Sequence, residues 1–351
     1  MPLPDLLERL LTTPGPSGQE RAAAAVWREA AAAVGEVSSD VLGSSWVRVR
    51  GTAGGPSLAL VGHIDEIGVV VTHLGDDGLA AVRPIGGFDP HVMLGQRVDV
   101  LARDGAIPGV VHSRFQKRKP GEDRKPLGHD DLFLDVGAKD GEELRGIVRP
   151  GDALVWHGAP VALRGNRVAS RSFDNRIGCY VALEAARRIA ERGGGPGDVV
   201  AVAAVQEEVG DFAGSRTAVF ATEPDVAIAI DVTRASDIRG GDHEAEGKIV
   251  LGGGPTLTRG PSLHRDVFEL LHDTAETEKI PFTVEVSRGE TYTDADAVYL
   301  SRHGVPTGLV SVPLRYMHSP VETVDLGDIE GAVRVIVAFA LRLEPGLTFA
   351  G

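Results

Sequence analysis

Four short apolar runs constrain this chain more than anything else in it, because each ends against a histidine or a carboxylate. Residues 58–61 (Leu-Ala-Leu-Val) lead into Gly62-His63-Ile64-Asp65-Glu66, residues 199–205 into Glu207 and Glu208, and residues 226–230 into Asp231. The fourth, residues 307–312, leads past Pro313 to His318. A run that is apolar at every position is the pattern of a strand buried on both faces. Around these runs the spacing predicts helices over residues 174–191, 265–279, 295–302 and 328–343. Residues 4–34 also read as helix, broken at Pro14-Gly15-Pro16-Ser17-Gly18. Strand alternating with helix is the grammar of a mostly parallel sheet with helices on both sides. In such sheets ligands bind beyond the carboxyl ends of the strands. His63, Asp65, Glu207, Glu208, Asp231 and His318 are therefore expected to converge, with Asp174 joining them from the start of its helix.

Between about residues 72 and 160 the texture changes to short alternating runs at 96–101, 107–111 and 132–136. Turn signals separate them: Asp76-Asp77-Gly78, Arg103-Asp104-Gly105 and Lys139-Asp140-Gly141. The expectation is an α/β fold: a sheet with a mostly parallel centre, flanked by helices as a three-layer sandwich, with a small β-barrel-like domain inserted. The α/β domain is discontinuous, residues 1–70 and 161–351, and the inserted β domain takes residues 71–160. Within the insert, residues 113–131 carry Arg114, Lys117, Arg118, Lys119, Arg124 and Lys125 and read as a solvated loop.

Composition excludes several classes. Lys and Arg number 36 against 50 Asp and Glu, a net charge of −14, so a general phosphate-neutralising surface is not expected and neither is a nucleic-acid partner. No apolar run approaches the roughly 20 residues that span a bilayer, so no membrane partner is expected. Cys179 is the single cysteine, which excludes an intramolecular disulfide, a thiolate zinc site and an iron–sulfur cluster. Residues 1–5 (Met-Pro-Leu-Pro-Asp) show neither the basic nor the apolar region of a secretory signal, and the expected compartment is the cytoplasm.

Two histidines and several carboxylates without a thiol form a hard-to-borderline ligand set suited to zinc, cobalt or manganese. With His63, Asp174, Glu208, Asp231 and His318 as ligands, three carboxylates and a hydroxide balance two divalent cations. Asp174 would then bridge two ions sharing an acidified water or hydroxide as nucleophile, and Glu207 would be left as general base. Asp65, two residues after His63, suits the role of carboxylate partner to a ligating histidine. Taken singly, each residue has a plainer reading: a core histidine, a helix cap at Asp174, a solvated Glu pair.

The segments Gly62-His63-Ile64-Asp65-Glu66-Ile67-Gly68, Ser172-Phe173-Asp174-Asn175-Arg176, Val205-Gln206-Glu207-Glu208-Val209-Gly210, Ala229-Ile230-Asp231-Val232-Thr233 and Arg315-Tyr316-Met317-His318-Ser319-Pro320 together resemble the signature of metallopeptidase family 42. These are tetrahedral, deblocking or glutamyl aminopeptidases, some of which carry the label endoglucanase. The resemblance runs from about residue 5 to residue 343. It implies a dinuclear zinc or cobalt site with His63 and Asp231 on one ion, Glu208 and His318 on the other, and Asp174 bridging. Glu207 would be the base and Asp65 would orient His63. It also implies that the inserted domain makes dimers, that dimers build a twelve-subunit tetrahedron, and that short peptides lose their N-terminal residue. One departure stands out: family members usually place a glycine pair before Thr-Asp-Ala, where this chain has Thr291-Tyr292-Thr293-Asp294-Ala295. That puts Tyr292, Thr293 and Asp294 at the pocket for the N-terminal side chain. Two rivals remain: another metal-dependent or glycoside hydrolase on the same scaffold, and a non-catalytic assembly protein.

Overall fold

The computed structural model describes residues 1–114 and 126–349. Helices α1 (Asp5–Thr12) and α2 (Arg21–Ala31) precede β1 (Val37–Ser39), β2 (Ser45–Val49) and β3 (Leu58–His63). Then follow β4 (Gly68–Leu74), β5 (Leu79–Ile85), β6 (Arg97–Ala102), β7 (Gly105–Ser113), β8 (Leu132–Asp135), α3 (Gly141–Ile147) and β9 (Ala153–Trp156). Two short strands, β10 (Val161–Ala162) and β11 (Arg167–Ser170), lead to α4 (Phe173–Glu191), β12 (Val199–Ala204), α5 (Ala213–Thr222) and β13 (Val226–Arg234). The chain finishes through α6 (His243–Glu246), β14 (Thr256–Arg259), α7 (Arg265–Thr277), β15 (Thr283–Val286), α8 (Ala295–Val298), β16 (Thr307–Leu314), β17 (Glu322–Asp325) and α9 (Leu326–Leu341).

Eight strands form one sheet in the order β1-β2-β12-β3-β13-β16-β14-β15. Its four central strands, β12, β3, β13 and β16, all run parallel. Side chains alternate across the sheet: Leu58 and Leu60 pack into the core under α4 and α9, while Ala59 and Val61 face Ala218 and Val219 of α5. Burial on both faces is the physical reason these strands are apolar along most of their length, with His63 at the end of β3 and Asp231 inside β13 marking where they reach the cleft. Strands β4 to β9 close into a barrel in the order β4-β5-β8-β7-β6-β9, around a separate core that includes Val69, Val71, Val100, Leu134 and Leu154. The mixed α/β expectation, a helix-flanked sheet with a barrel-like element, holds.

Several boundaries differ from expectation. Strand β13 runs on to Arg234, so Asp231 lies inside the strand and not after it. The helix expected over residues 295–302 is the single turn α8, and the rest of the span is turn, with left-handed backbone at Arg302 (φ 57°) and Gly304 (φ 103°). Helix α4 has non-helical backbone at Asp174 and Asn175, so the carboxylate sits on an irregular turn ahead of the regular helix. Of the basic residues in the 113–131 stretch, Lys117, Arg118, Lys119, Arg124 and Lys125 lie outside the described residues. Among the described residues no helix is long and apolar enough to cross a membrane.

Candidate metal centre

Parallel strands in register bring their carboxyl ends to one edge, and the site is built there. Ala204 pairs with His63, and Asp231 with Ser311, so the ends of β12, β3, β13 and β16 lie side by side. Helix α4 crosses above β3 and β13 at a point where neither partner has a side chain to spare. A Cβ on Gly62 would meet the Gly178 carbonyl carbon at 2.4 Å, and one on Gly178 would meet the Ile230 carbonyl oxygen at 2.4 Å. This close approach lets Asn175 donate from Nδ2 to the Ile230 carbonyl at 2.8 Å, while its Oδ1 accepts the Gly178 N–H at 2.8 Å. Asp174 is thereby fixed beside Asp231.

The predicted residues converge as two groups that share Asp174, overlapped by a third made of His63, Glu207 and Glu208. His63, Asp174 and Asp231 offer ligand atoms within 4.8 Å of one another, and so do Asp174, Glu208 and His318. His63 Nε2 is 3.3 Å from Asp174 Oδ1 and 3.6 Å from Glu207 Oε2. His318 Nε2 is 3.2 Å from Asp174 Oδ2 and 3.4 Å from Glu208 Oε2. Both histidines turn Nε2 inward. Nδ1 of His318 faces the Gly87 carbonyl, which can only accept, so Nδ1 carries a proton and Nε2 is the nitrogen left to face Asp174 and Glu208. Nδ1 of His63 lies 3.4 Å from Asp65 Oδ1.

Four carboxylates and two imidazoles in one buried cleft strain their own ionisation. Burial, reinforced by the charges of Asp231, Asp294 and Asp174, pushes Glu207 up to about 10. Burial likewise drives Glu208 and Asp231 well above the usual carboxylate range, with Asp174 adding to both. Burial also raises Asp174, but the imidazoles of His318 and His63 outweigh it and hold the group low. Burial opposes protonation of His63, yet Glu207, Asp174 and Asp65 overcome it and raise its pKa. Buried like charges of this kind call for cations, and the buried Glu208 Oε1 has no hydrogen-bond partner. The donor set of oxygen and imidazole nitrogen fits divalent ions of the zinc, cobalt or manganese type.

The other predicted residues take different places. Tyr292 and Thr293 line a cavity of about 520 Å³ together with His63, Asp174, Glu207, Glu208, Asp231 and His318. Tyr292 is 80 % exposed, and its backbone is left-handed, φ 55°. Asp294 is buried at the head of α8 and does not line that cavity. Burial raises it to about 6. Arg234, Glu285 and Arg288 also line the cavity and carried no sequence signal, and Met317 lines it beside His318. Glu322 was missed as well: it is buried at the start of β17 and accepts the Asp174 N–H at 3.1 Å and the His318 N–H at 3.0 Å. A lone glutamate ahead of Thr323 and Val324 was its only trace.

Comparison with known proteins gives the family. The family model for M42 glutamyl aminopeptidase matches residues 43–335. A putative aminopeptidase of Acetivibrio thermocellus is 35 % identical, the match covering 95 % of this chain and 97 % of that protein. The TET aminopeptidase from a marine-sediment Thaumarchaeota archaeon superposes with a TM-score of 0.92 at 32 % identity, covering 97 % of this chain and 96 % of that one. The TET1 peptidase of Pyrococcus horikoshii, which can assemble into a tetrahedron or a large octahedral shell, gives a TM-score of 0.84 at 29 % identity, over 96 % and 99 % of the two chains. This chain belongs to the M42 glutamyl aminopeptidase family, a family of peptide-hydrolysing enzymes.

Proposed function

We propose that the protein is a dinuclear-metal aminopeptidase that removes the N-terminal residue of short peptides. The observation that carries this reading is the pair of ligand groups sharing Asp174, with Glu207 beside them. His63 and Asp231 would hold one ion, Glu208 and His318 the other, and Asp174 would bridge them, zinc or cobalt being the best suited and manganese acceptable. When bound, the ions supply Lewis-acid polarisation of the scissile carbonyl and a water acidified enough to attack near neutral pH. Cations here would offset the burial of the Glu207 charge and the neighbouring like charges that together push it up, returning its carboxyl to the range where it exchanges protons. Glu207 takes a proton from the attacking water and delivers it to the leaving amine nitrogen as the C–N bond breaks. Asp65 faces Nδ1 of His63 and keeps Nε2 directed at the cleft.

The rest of the reading follows from the same family. Residues 71–160 act as the dimerisation domain, and dimers build a dodecamer of tetrahedral form. Cys179, a free buried thiol, suits the reducing cytoplasm.

Aminoacyl p-nitroanilides, free and N-acetylated, test the activity with protein loaded with zinc, cobalt or manganese and with a chelator-treated control. Chelator-sensitive cleavage of the free-amine substrates alone is the expected outcome. Cleavage of acetylated substrates, or cleavage indifferent to chelator, would move the protein to another hydrolase class. Light scattering on the eluted particle reads the assembly.

A further inference from the structure

Three consecutive backbone N–H groups, those of Gln206, Glu207 and Glu208, point at two buried carboxylates from distant parts of the chain. Gln206 donates to Glu20 Oε1 at 3.2 Å, Glu207 to Asp65 Oδ1 at 3.1 Å and Glu208 to Asp65 Oδ2 at 3.1 Å. Successive N–H groups gathered on an anion form a backbone nest. Gln206 needs the support, because its backbone is left-handed at φ 59°, a conformation disfavoured for any residue with a side chain.

Both carboxylates are themselves held by the Pro/Gly-rich loop between α1 and α2, to which the sequence assigned no chemistry. Ser17 Oγ donates to Asp65 Oδ2 at 2.7 Å, and the Gly18 N–H donates to Glu20 Oε1 at 2.7 Å. The loop is bolted down in turn. Gly15 donates to Glu66 Oε1 at 2.9 Å, and Arg176 reaches the same oxygen at 3.1 Å and the Leu10 carbonyl at 2.7 Å. Arg171 pairs with the other oxygen of Glu66. Gly15 has no room for a side chain, since a Cβ there would sit 2.8 Å from Arg176 Nη2. Ser17 and Glu20 are outside the lining of the catalytic cavity.

We propose that Glu20 and Ser17 are positioning residues, setting the turn that aims Glu207 at its water. The proposal rests on the reading of Glu207 as general base. A glutamine at position 20 keeps an acceptor oxygen for the Gln206 and Gly18 N–H groups, whereas alanine removes it.

The test compares metal-loaded wild type with Glu20→Ala, Glu20→Gln and Ser17→Ala. Glu20→Ala is expected to lower kcat about 10- to 100-fold, with KM and metal content unchanged, and Glu20→Gln to restore most of the loss. Backbone amide exchange of the segment containing Gln206 to Glu208, measured on metal-free protein, is expected to quicken in Glu20→Ala and not in Glu20→Gln. Wild-type kcat and exchange in Glu20→Ala overturn the proposal, and so does a Glu20→Gln variant as impaired as the alanine. Should Glu20→Ala not fold, Ser17→Ala decides: a fall in kcat alone supports positioning, and unchanged kcat and exchange overturn it. A wild type inactive on all free-amine substrates defeats the aminopeptidase reading, while the exchange comparison still judges the positioning role.

Discussion

Asp174 faces both histidines of the cleft at once, with Oδ1 3.3 Å from His63 Nε2 and Oδ2 3.2 Å from His318 Nε2. A carboxylate shared in this way cannot be removed from one group alone. Asp174→Ala should therefore empty both ion positions, whereas Asp231→Ala should weaken one. Metal content by mass spectrometry reads the difference directly. Activity in the Asp174 variant should fall by several kcal/mol of transition-state stabilisation, on the order of 10³-fold or more.

Glu207→Gln keeps the shape of the side chain and removes its ability to carry a proton. Turnover should drop about 10²- to 10⁴-fold while both ions stay bound. Joint loss of turnover and metal would instead make Glu207 a ligand.

Tyr292 holds a left-handed backbone at φ 55° on the wall of the 520 Å³ cavity. Tyr292→Gly adopts that backbone without a Cβ penalty and widens the wall. The melting temperature should hold, while the ranking of aminoacyl p-nitroanilides by kcat/KM should move towards bulkier N-terminal side chains. An unchanged ranking would mean that the ring sits at the rim and not against the substrate.

Asp328, at the start of α9, accepts the Gly252 N–H at 2.8 Å and the Gly254 N–H at 2.7 Å. Burial nevertheless raises it to about 7 from an ordinary 3.8. The unfolded chain loses this proton first as pH rises, so the contribution of Asp328 to stability is full below about pH 4 and fades through pH 7. The slope attributable to one proton is about 1.4 kcal/mol per pH unit. Urea midpoints of Asp328→Asn should be flatter with pH than those of wild type between those limits, whatever the variant costs overall.

The four central strands and the chemistry at their ends were legible because burial on both faces forbids polar residues until the strand reaches the cleft. Strands β14 and β15 were not, since Thr256-Leu257-Thr258-Arg259 and Thr283-Val284-Glu285-Val286 are short and mixed in polarity, on the side of the sheet away from the apolar centre. At the site, residue types at or near strand ends pointed to His63, Glu207, Glu208, Asp231 and His318, and a helix start to Asp174, the six predicted side chains that line the cleft with Tyr292 and Thr293. The supports did not announce themselves, because each is a single ordinary residue brought in from afar: Glu322 under Asp174 and His318, Ser17 under Asp65 and Glu20 under Gln206. A glutamate in an Ala-rich helical stretch looks solvated until the fold closes over it.

The carbonyl that accepts from His318 belongs to Gly87, two residues past the barrel strand β5, and so 231 positions away in the chain. A Cβ on neighbouring Gly86 would sit 2.6 Å from Ile67 Cγ2 and 3.3 Å from the Glu208 carbonyl oxygen, so this turn is pressed against the cleft. The barrel is thus no detachable handle. A shortened chain lacking it would retain every candidate metal-binding side chain, yet His318 would lose the carbonyl that holds its Nδ1 and so turns Nε2 into the cleft.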